Sequence, residues 1–258
     1  LPMIAVATAM FALLLFGMGR LGFFDGKLLS GMGRLVEIAG LMLPPDPGSW
    51  AHARAYGMAL IETVAIALLG TLSAAVLALP VGLLAARNVT AQRIVRFLAR
   101  RSLDTIRSVD ILIWALIWIN VVGLGPFAGA LAIMTSDIGS FGKLFSEAIE
   151  AADRKPVEGI ASAGGSHVMG IRFGILPEVF PVLASQVLYY FESNTRSATI
   201  IGIVGAGGIG LHLAEAIRTL ELQQTSFIIL MILVTVAAID LVSSQLRFAM
   251  IGRRAGPG

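Results

Sequence analysis

The chain has 258 residues, 57% hydrophobic and only 14% charged. Soluble domains carry roughly a quarter charged residues, so this composition excludes an ordinary soluble fold and indicates an integral membrane protein. The formal charge of +3 suits basic residues gathered on cytoplasmic loops, and no basic–aromatic stripe of the kind that reads nucleic acid is present. There is no cysteine, which removes disulfides, thiolate metal sites and thiol nucleophiles.

In chain order, Leu1 to Met18 is nearly all apolar and just long enough to span a bilayer. A signal peptide is the other reading, but the basic leading stretch and a clear small-x-small cleavage site are missing. The start at Leu1 leaves room for a preceding segment. Arg20 to Arg54 is mixed and holds the turn Pro44-Pro45-Asp46-Pro47. Within it, Gly33 to Leu43 reads equally as a short interfacial helix or a tethering loop. Ala59 to Ala86 is a strong span whose single charge is Glu62, and Arg87 to Arg107 follows with six arginines.

Ile111 to Leu124 is apolar but short, so its span is expected to draw on residues from Thr105 onward. Phe127 to Phe145 is weaker again, with Thr135-Ser136-Asp137 at its centre. Such weak apolarity fits a helix screened from lipid by its neighbours. Lys143 to Arg172 is a polar loop. Leu176 to Val204 is a long span carrying Glu192, Asn194 and Arg196, and Ser226 to Val242 is the last. Every span must satisfy its own backbone hydrogen bonds, hence helices. The expected fold is all-α and polytopic, with six transmembrane helices, or five if the first is cleaved.

Lysine and arginine set the orientation. With the polar loop inside, the cytoplasmic side holds Arg87, Arg93, Arg96, Arg100, Arg101, Arg107, Lys143, Arg154, Lys155, Arg172, Arg247, Arg253 and Arg254. The outer side holds Arg20, Lys27, Arg34, Arg54 and Arg218. Thirteen against five places the loop and both termini in the cytoplasm.

The loop itself has a readable shape. Pro156 suits a first helical turn, Val157 to Ala163 gives about two turns, and Gly164-Gly165 permits the left-handed backbone that closes a helix. A short helix held between two spans can press into a partner's groove. Glu158, Gly164, Leu176 and Pro177 resemble the EAA loop of ABC-importer permeases. Gly159 and Ile160 stand where that pattern has two alanines, and Gly174 where it has a late isoleucine. Around the loop, Leu79-Pro80 with Ala85 to Asn88, Gly123 to Gly129, Gly142 to Glu150 and Gly202 to Gly210 resemble the phosphonate-type permease subfamily. The similarity runs from about Glu62 to the C-terminus.

The resemblance implies a type I importer permease fold. Residues 1–54 would form an N-terminal helix and extracytoplasmic segment, and residues 55–258 a core with its coupling loop at 145–177. It also implies a dimer of cytoplasmic ATP-binding-cassette ATPases docked on Glu158, Gly159, Ala161, Gly164, Leu176 and Pro177. An extracytoplasmic binding protein and a substrate of the phosphonate, phosphate or phosphite class complete the assembly. The absence of an internal repeat suggests that a second copy, or a homologue, completes the pore. An ion-gradient-driven carrier of a small anion is the alternative; it needs no ATPase.

Gly205-Ala-Gly207-Gly208-Ile-Gly210 satisfies G-x-G-x-x-G, the pattern of dinucleotide loops. It ends a membrane segment rather than a short strand, so it reads as a tight turn at the outer end of the fifth helix, or a gate beside the pathway. There is no P-loop sequence, so ATP must be hydrolysed by a partner. His52, His167 and His212 follow no metal-ligand spacing, and no serine, histidine and acid combine as a nucleophilic triad; the expectation is a transport subunit with no catalytic site, cofactor or metal. The ionisable groups inside spans are the sharper signal. Glu192 and Arg196, four apart, share a helix face; Asn194 points elsewhere. The pair reads equally as a structural ion pair that holds helices together or as a pathway site in which Arg196 meets an anionic substrate, with Asp137 and Glu62 as its other candidate partners. Asp240, near the cytoplasmic end, reads as structural.

Overall fold

The computed structural model describes residues 2–23 and 26–251. Leu1, Arg253 and Arg254, used above for the first span and the orientation, lie outside them. All regular elements among the described residues are helices: α1 (Pro2–Arg20), α2 (Lys27–Leu41), α3 (Trp50–Ala85), α4 (Arg93–Arg107), α5 (Ile111–Val122), α6 (Pro126–Ala151), α7 (Lys155–Ser162), α8 (His167–Met169), a π-helical turn (Gly170–Ile175), α9 (Leu176–Ile203), α10 (Ile209–Arg218) and α11 (Leu222–Ile251). Four are long and apolar enough to cross a membrane, counting α8, the π-turn and α9 as one, and a bent α4–α5 pair raises the number to five.

The centre of the bundle is α3 against α6. Along α3 the buried positions Ala67, Gly70, Thr71, Ala74, Ala78 and Gly82 recur every three or four residues, a small-residue stripe of the kind that lets backbones approach in lipid. A Cβ on Gly70 would lie 2.7 Å from Ile133 Cβ, and one on Gly82 3.1 Å from Phe145 Cβ. Helix α6 is also flanked by α4, α5 and α9. That enclosure suits a helix with Asp137 at its middle, which is buried against protein; α6 itself is not among the helices apolar enough to be counted as spans. The helix also runs on past Phe145 to Ala151, so the polar loop proper begins later than Lys143.

Two boundaries differ from expectation. Asp110 accepts the backbone N–H of Leu112 at 2.8 Å, a helix N-cap, so a new helix starts there. The chain bends 88° between α4 and α5. Thr105 therefore belongs to α4 and lengthens the span beginning at Ile111 only where the bent pair counts as one broken span. Similarly, α11 does not stop at Val242 but continues to Ile251. The Arg20–Arg54 stretch contains a real helix, α2, and the segment holding Arg218 before the last span is largely helical as α10.

Candidate functional site

The polar loop between α6 and α9 folds as a short helix laid against the foot of a long one. Helix α7 closes through two bonds, from the Gly165 N–H to the Ile160 carbonyl (2.9 Å) and from the Gly164 N–H to the Ala161 carbonyl (3.0 Å). With Gly164 at φ 82°, this is a Schellman closure, in which a left-handed residue satisfies the last carbonyls. Beyond it, Gly170 and Gly174 of the π-turn pack on Val157: a Cβ at Gly174 would sit 3.0 Å from Val157 Cγ2 and 3.3 Å from its nitrogen. The departures from the loop pattern thus acquire reasons. Glycine at 174 makes room for the α7 backbone. Ile160 occupies the space that any side chain at 165 would need, 2.5 Å from such a Cβ, while Gly159 has open space around it.

The loop is tied to the spans on both sides. The Asp153 N–H donates to Glu178 Oε1 (2.9 Å), and His167 Nε2 lies 3.0 Å from the Val89 carbonyl. Glu150, at the end of α6, pairs with the Arg100 guanidinium and accepts the Arg87 N–H at 2.6 Å. Glu158, Gly159, Ala161 and Gly164 remain exposed, and Leu176 and Pro177 open α9.

Helix α9 carries polar residues on two faces. On one, Glu192 is buried and shared: Oε1 accepts from Arg196 Nη1 at 3.2 Å, and Oε2 accepts from both terminal nitrogens of Arg247, each at 3.3 Å. Asp240 Oδ1 lies 3.9 Å from Arg247 Nη2. The Arg196 side chain is half exposed, that of Arg247 much less so, at 21%. On the other face, the buried Asn194 donates to Thr71 Oγ1 (2.8 Å) and to the Asp137 carboxylate, joining α3, α6 and α9 with polar groups satisfied inside the bundle.

Asp137 and Glu62, expected as further partners of Arg196, are engaged elsewhere. Glu62 Oε1 accepts the Gly208 N–H at 2.9 Å and Thr63 Oγ1 the Ile209 N–H at 2.8 Å. Together these side chains cap the N-terminus of α10, whose first N–H groups have no partner within the helix. The glycines of that turn are packing devices. Gly205, Gly207 and Gly208 have φ of 102°, 85° and 74°. A Cβ on Gly207 would lie 2.6 Å from Pro126 N, and one on Gly210 2.0 Å from the Thr199 carbonyl oxygen. No room is left for a pyrophosphate against this backbone. The turn pins α3 at Glu62 and Thr63, the N-terminus of α6 and the C-terminal part of α9 together.

Arg247 is the participant that sequence reasoning missed. It reads as one of the basic residues following the last span, yet α11 carries it back onto Glu192. The polar run Ser243-Ser244-Gln245 before it hid the continuing helix.

These features describe a polytopic helical bundle with helices long and apolar enough to cross a membrane, an exposed, glycine-closed loop helix at one end and a shared carboxylate inside. Comparison with known proteins specifies it. Residues 78–254 match the family described as binding-protein-dependent transport system inner membrane component, and the chain belongs to that family. It is 37% identical over 238 residues to the phosphite transport system permease protein PtxC of Stutzerimonas stutzeri, covering 92% of this chain and 86% of that protein. It is 38% identical over 193 residues to the phosphate-import permease protein PhnE of Mycolicibacterium smegmatis, covering 75% of this chain and 36% of that protein. Among solved structures, the fold matches a chain of the inward-facing MetNI methionine ABC transporter with TM-score 0.68 at 18% identity, covering 78% of this chain and 99% of that one. The all-helical permease fold, the membrane location and the transport role expected from sequence are thereby established.

Proposed function

We propose that this chain is the pathway-forming subunit of an ATP-driven importer for a phosphorus oxyanion: phosphonate, phosphite or phosphate. The substrate class follows from relatives described as phosphite and phosphate permeases and suits a guanidinium that can grip two oxygens. The observation that carries the coupling mechanism is α7, an eight-residue helix that is exposed outward through Glu158, Gly159 and Ala161 and seated inward on the π-turn. A dimer of ATP-binding-cassette ATPases docks there, and its closure moves α7, the π-turn and α9 together between inward- and outward-open states. A binding protein delivers substrate at the outer face, and a second copy of this chain completes the pore.

Within this reading, residues 55–258 are the core and the Glu192–Arg196–Arg247 cluster faces the pathway. Asn194, Asp137 and Glu62 hold the helices that position it, and Gly205 to Gly210 form the outer turn. The subunit performs no covalent chemistry. Affinity capture of the tagged full chain should bring down a P-loop ATPase, and reconstituted uptake of a phosphorus oxyanion should require ATP and the partner binding protein. Uptake driven by an ion gradient without any ATPase would overturn the proposal.

A further inference from the structure

Helix α4 has two faces that are used differently. Its inward face is built into the fold: Leu103 is 1% exposed and fills the space left by Gly142, where a Cβ would lie 2.3 Å from Leu103 Cδ2. Arg96 donates to the Thr90 carbonyl (3.3 Å). Arg100 donates through Nε to the Ala85 carbonyl (2.9 Å) and pairs with Glu150. The opposite face carries Ile94, Phe97 and Leu98, exposed at 68%, 58% and 59%. Their i, i+3, i+4 spacing makes one apolar stripe. Arg93 stands at one end of it and Arg101 at the other, the Arg101 guanidinium 5.5 Å above the Phe97 ring. The nearest acid to Arg101, Asp104, is 4.0 Å away and equally distant from Lys143.

The orientation matters as much as the composition. Helix α4 is turned 88° from α5 and touches the last carbonyl of α3 through Arg100. With the loop end cytoplasmic, as the proposed function has it, α4 therefore sits beside the cytoplasmic ends of α3 and α6, where Arg100 meets Ala85 and Glu150. A helix so placed, with an apolar stripe flanked by guanidinium groups, matches the boundary between acyl chains and headgroups, and arginine stems reach to phosphate level while their carbons stay apolar. The cytoplasmic leaflet carries the complementary negative charge. We propose that α4 is a lipid-contact helix whose Arg93, Ile94, Phe97, Leu98 and Arg101 engage anionic phospholipid headgroups of that leaflet. The lipid then braces the same helix that holds Glu150 and the base of α3.

The test uses the full chain, whose lack of cysteine makes a single Ser102→Cys label unique. Ser102 is exposed on the turn after Leu98. A spin label there is compared in nanodiscs of phosphatidylcholine alone and of phosphatidylcholine with phosphatidylglycerol. The ratio of oxygen to nickel-chelate collisions should rise severalfold with phosphatidylglycerol, and the gain should vanish in Arg93→Gln/Arg101→Gln, each arginine contributing about fivefold in attraction to an anionic surface. Phe97→Ser/Leu98→Ser should lower the ratio in both lipids. Free inorganic phosphate should not reproduce the gain. Three outcomes overturn the proposal: equal water access in both lipids, protection that appears only when the ATPase partner is added, and protection that tracks a second copy in the disc.

Discussion

The unequal sharing of Glu192 makes a quantitative prediction. Its carboxylate is 8% exposed at the residue level and takes one N–H from Arg196 but two from Arg247. Arg196→Ala leaves the bidentate grip of Arg247 in place, and the lost pair is half exposed. Such pairs contribute about 0–1 kcal/mol. Arg247→Ala strips both bonds to Oε2 and the only charged link between α9 and α11 among the described residues, which should cost about 2–3 kcal/mol after allowing for partial exposure. Glu192→Gln leaves two guanidinium groups around a neutral amide and should cost about 3 kcal/mol; Glu192→Gln/Arg247→Gln should recover much of it. Unfolding in mixed detergent–SDS micelles, followed by tryptophan fluorescence, measures the series. A loss in Arg196→Ala as large as that in Arg247→Ala would refute the reasoning. The same variants separate structure from transport: Arg196→Ala should be nearly as stable as wild type yet import poorly. Arg196→Lys, which keeps charge but loses the planar fork, should also import poorly.

Gly164→Val places a β-branched residue at φ 82° and should cost at least about 1–2 kcal/mol of local backbone strain. Capture should show weakened ATPase association with membrane insertion intact, and unchanged coupled hydrolysis would argue against α7 as the docking element. Gly210→Ala forces a Cβ to 2.0 Å from the Thr199 carbonyl oxygen; overpacking of this kind costs about 1–3 kcal/mol or more, read as lost monodisperse protein on size-exclusion chromatography. Gly159→Ala meets open space and should be neutral or stabilising by about 0.5–1 kcal/mol; marked destabilisation would mean that the exposed face of α7 is packed. Finally, cysteine at Ser162 should react with an impermeant maleimide only from the cytoplasmic side and cysteine at Ser49 only from outside; reversal would invert the assignment of the coupling loop.

The spans of strongest apolarity were legible because lipid demands long unbroken hydrophobic runs. α3, α9 and the start of α11 stand close to where composition puts them. The Gly164-Gly165 closure was legible too, since only a few residue types tolerate a positive φ. What composition cannot report is who a polar residue faces. Asp137 and Asn194 satisfy each other across two helices, and Glu62 caps a helix 146 residues away in sequence. Each of those partnerships depends on packing of distant segments. Arg247 was misplaced for the complementary reason: charge counting treats every arginine near a span end as a loop residue, whereas a helix that continues can return its guanidinium to the interior. The α4–α5 bend had a local signal in Asp110, an N-cap residue type in front of an apolar run, which the shortness of that run outweighed.

His167 to Ile203 forms one uninterrupted rod of 37 residues, but its Gly170–Ile175 portion is wound as a π-turn. A π-turn absorbs an extra residue without breaking the rod, and each residue of an α-helix advances its side chains by about 100° around the axis. The rod's angular phase is therefore set at that one turn. The glycines seated on Val157 and the Glu192–Arg196 face, far apart along the same axis, point in their particular directions because of it. Deleting a single residue there would let the segment rewind as plain α-helix. It would swing the charge cluster about a quarter turn around the axis relative to the docking end, leaving every contact at each end chemically possible and the two ends out of step.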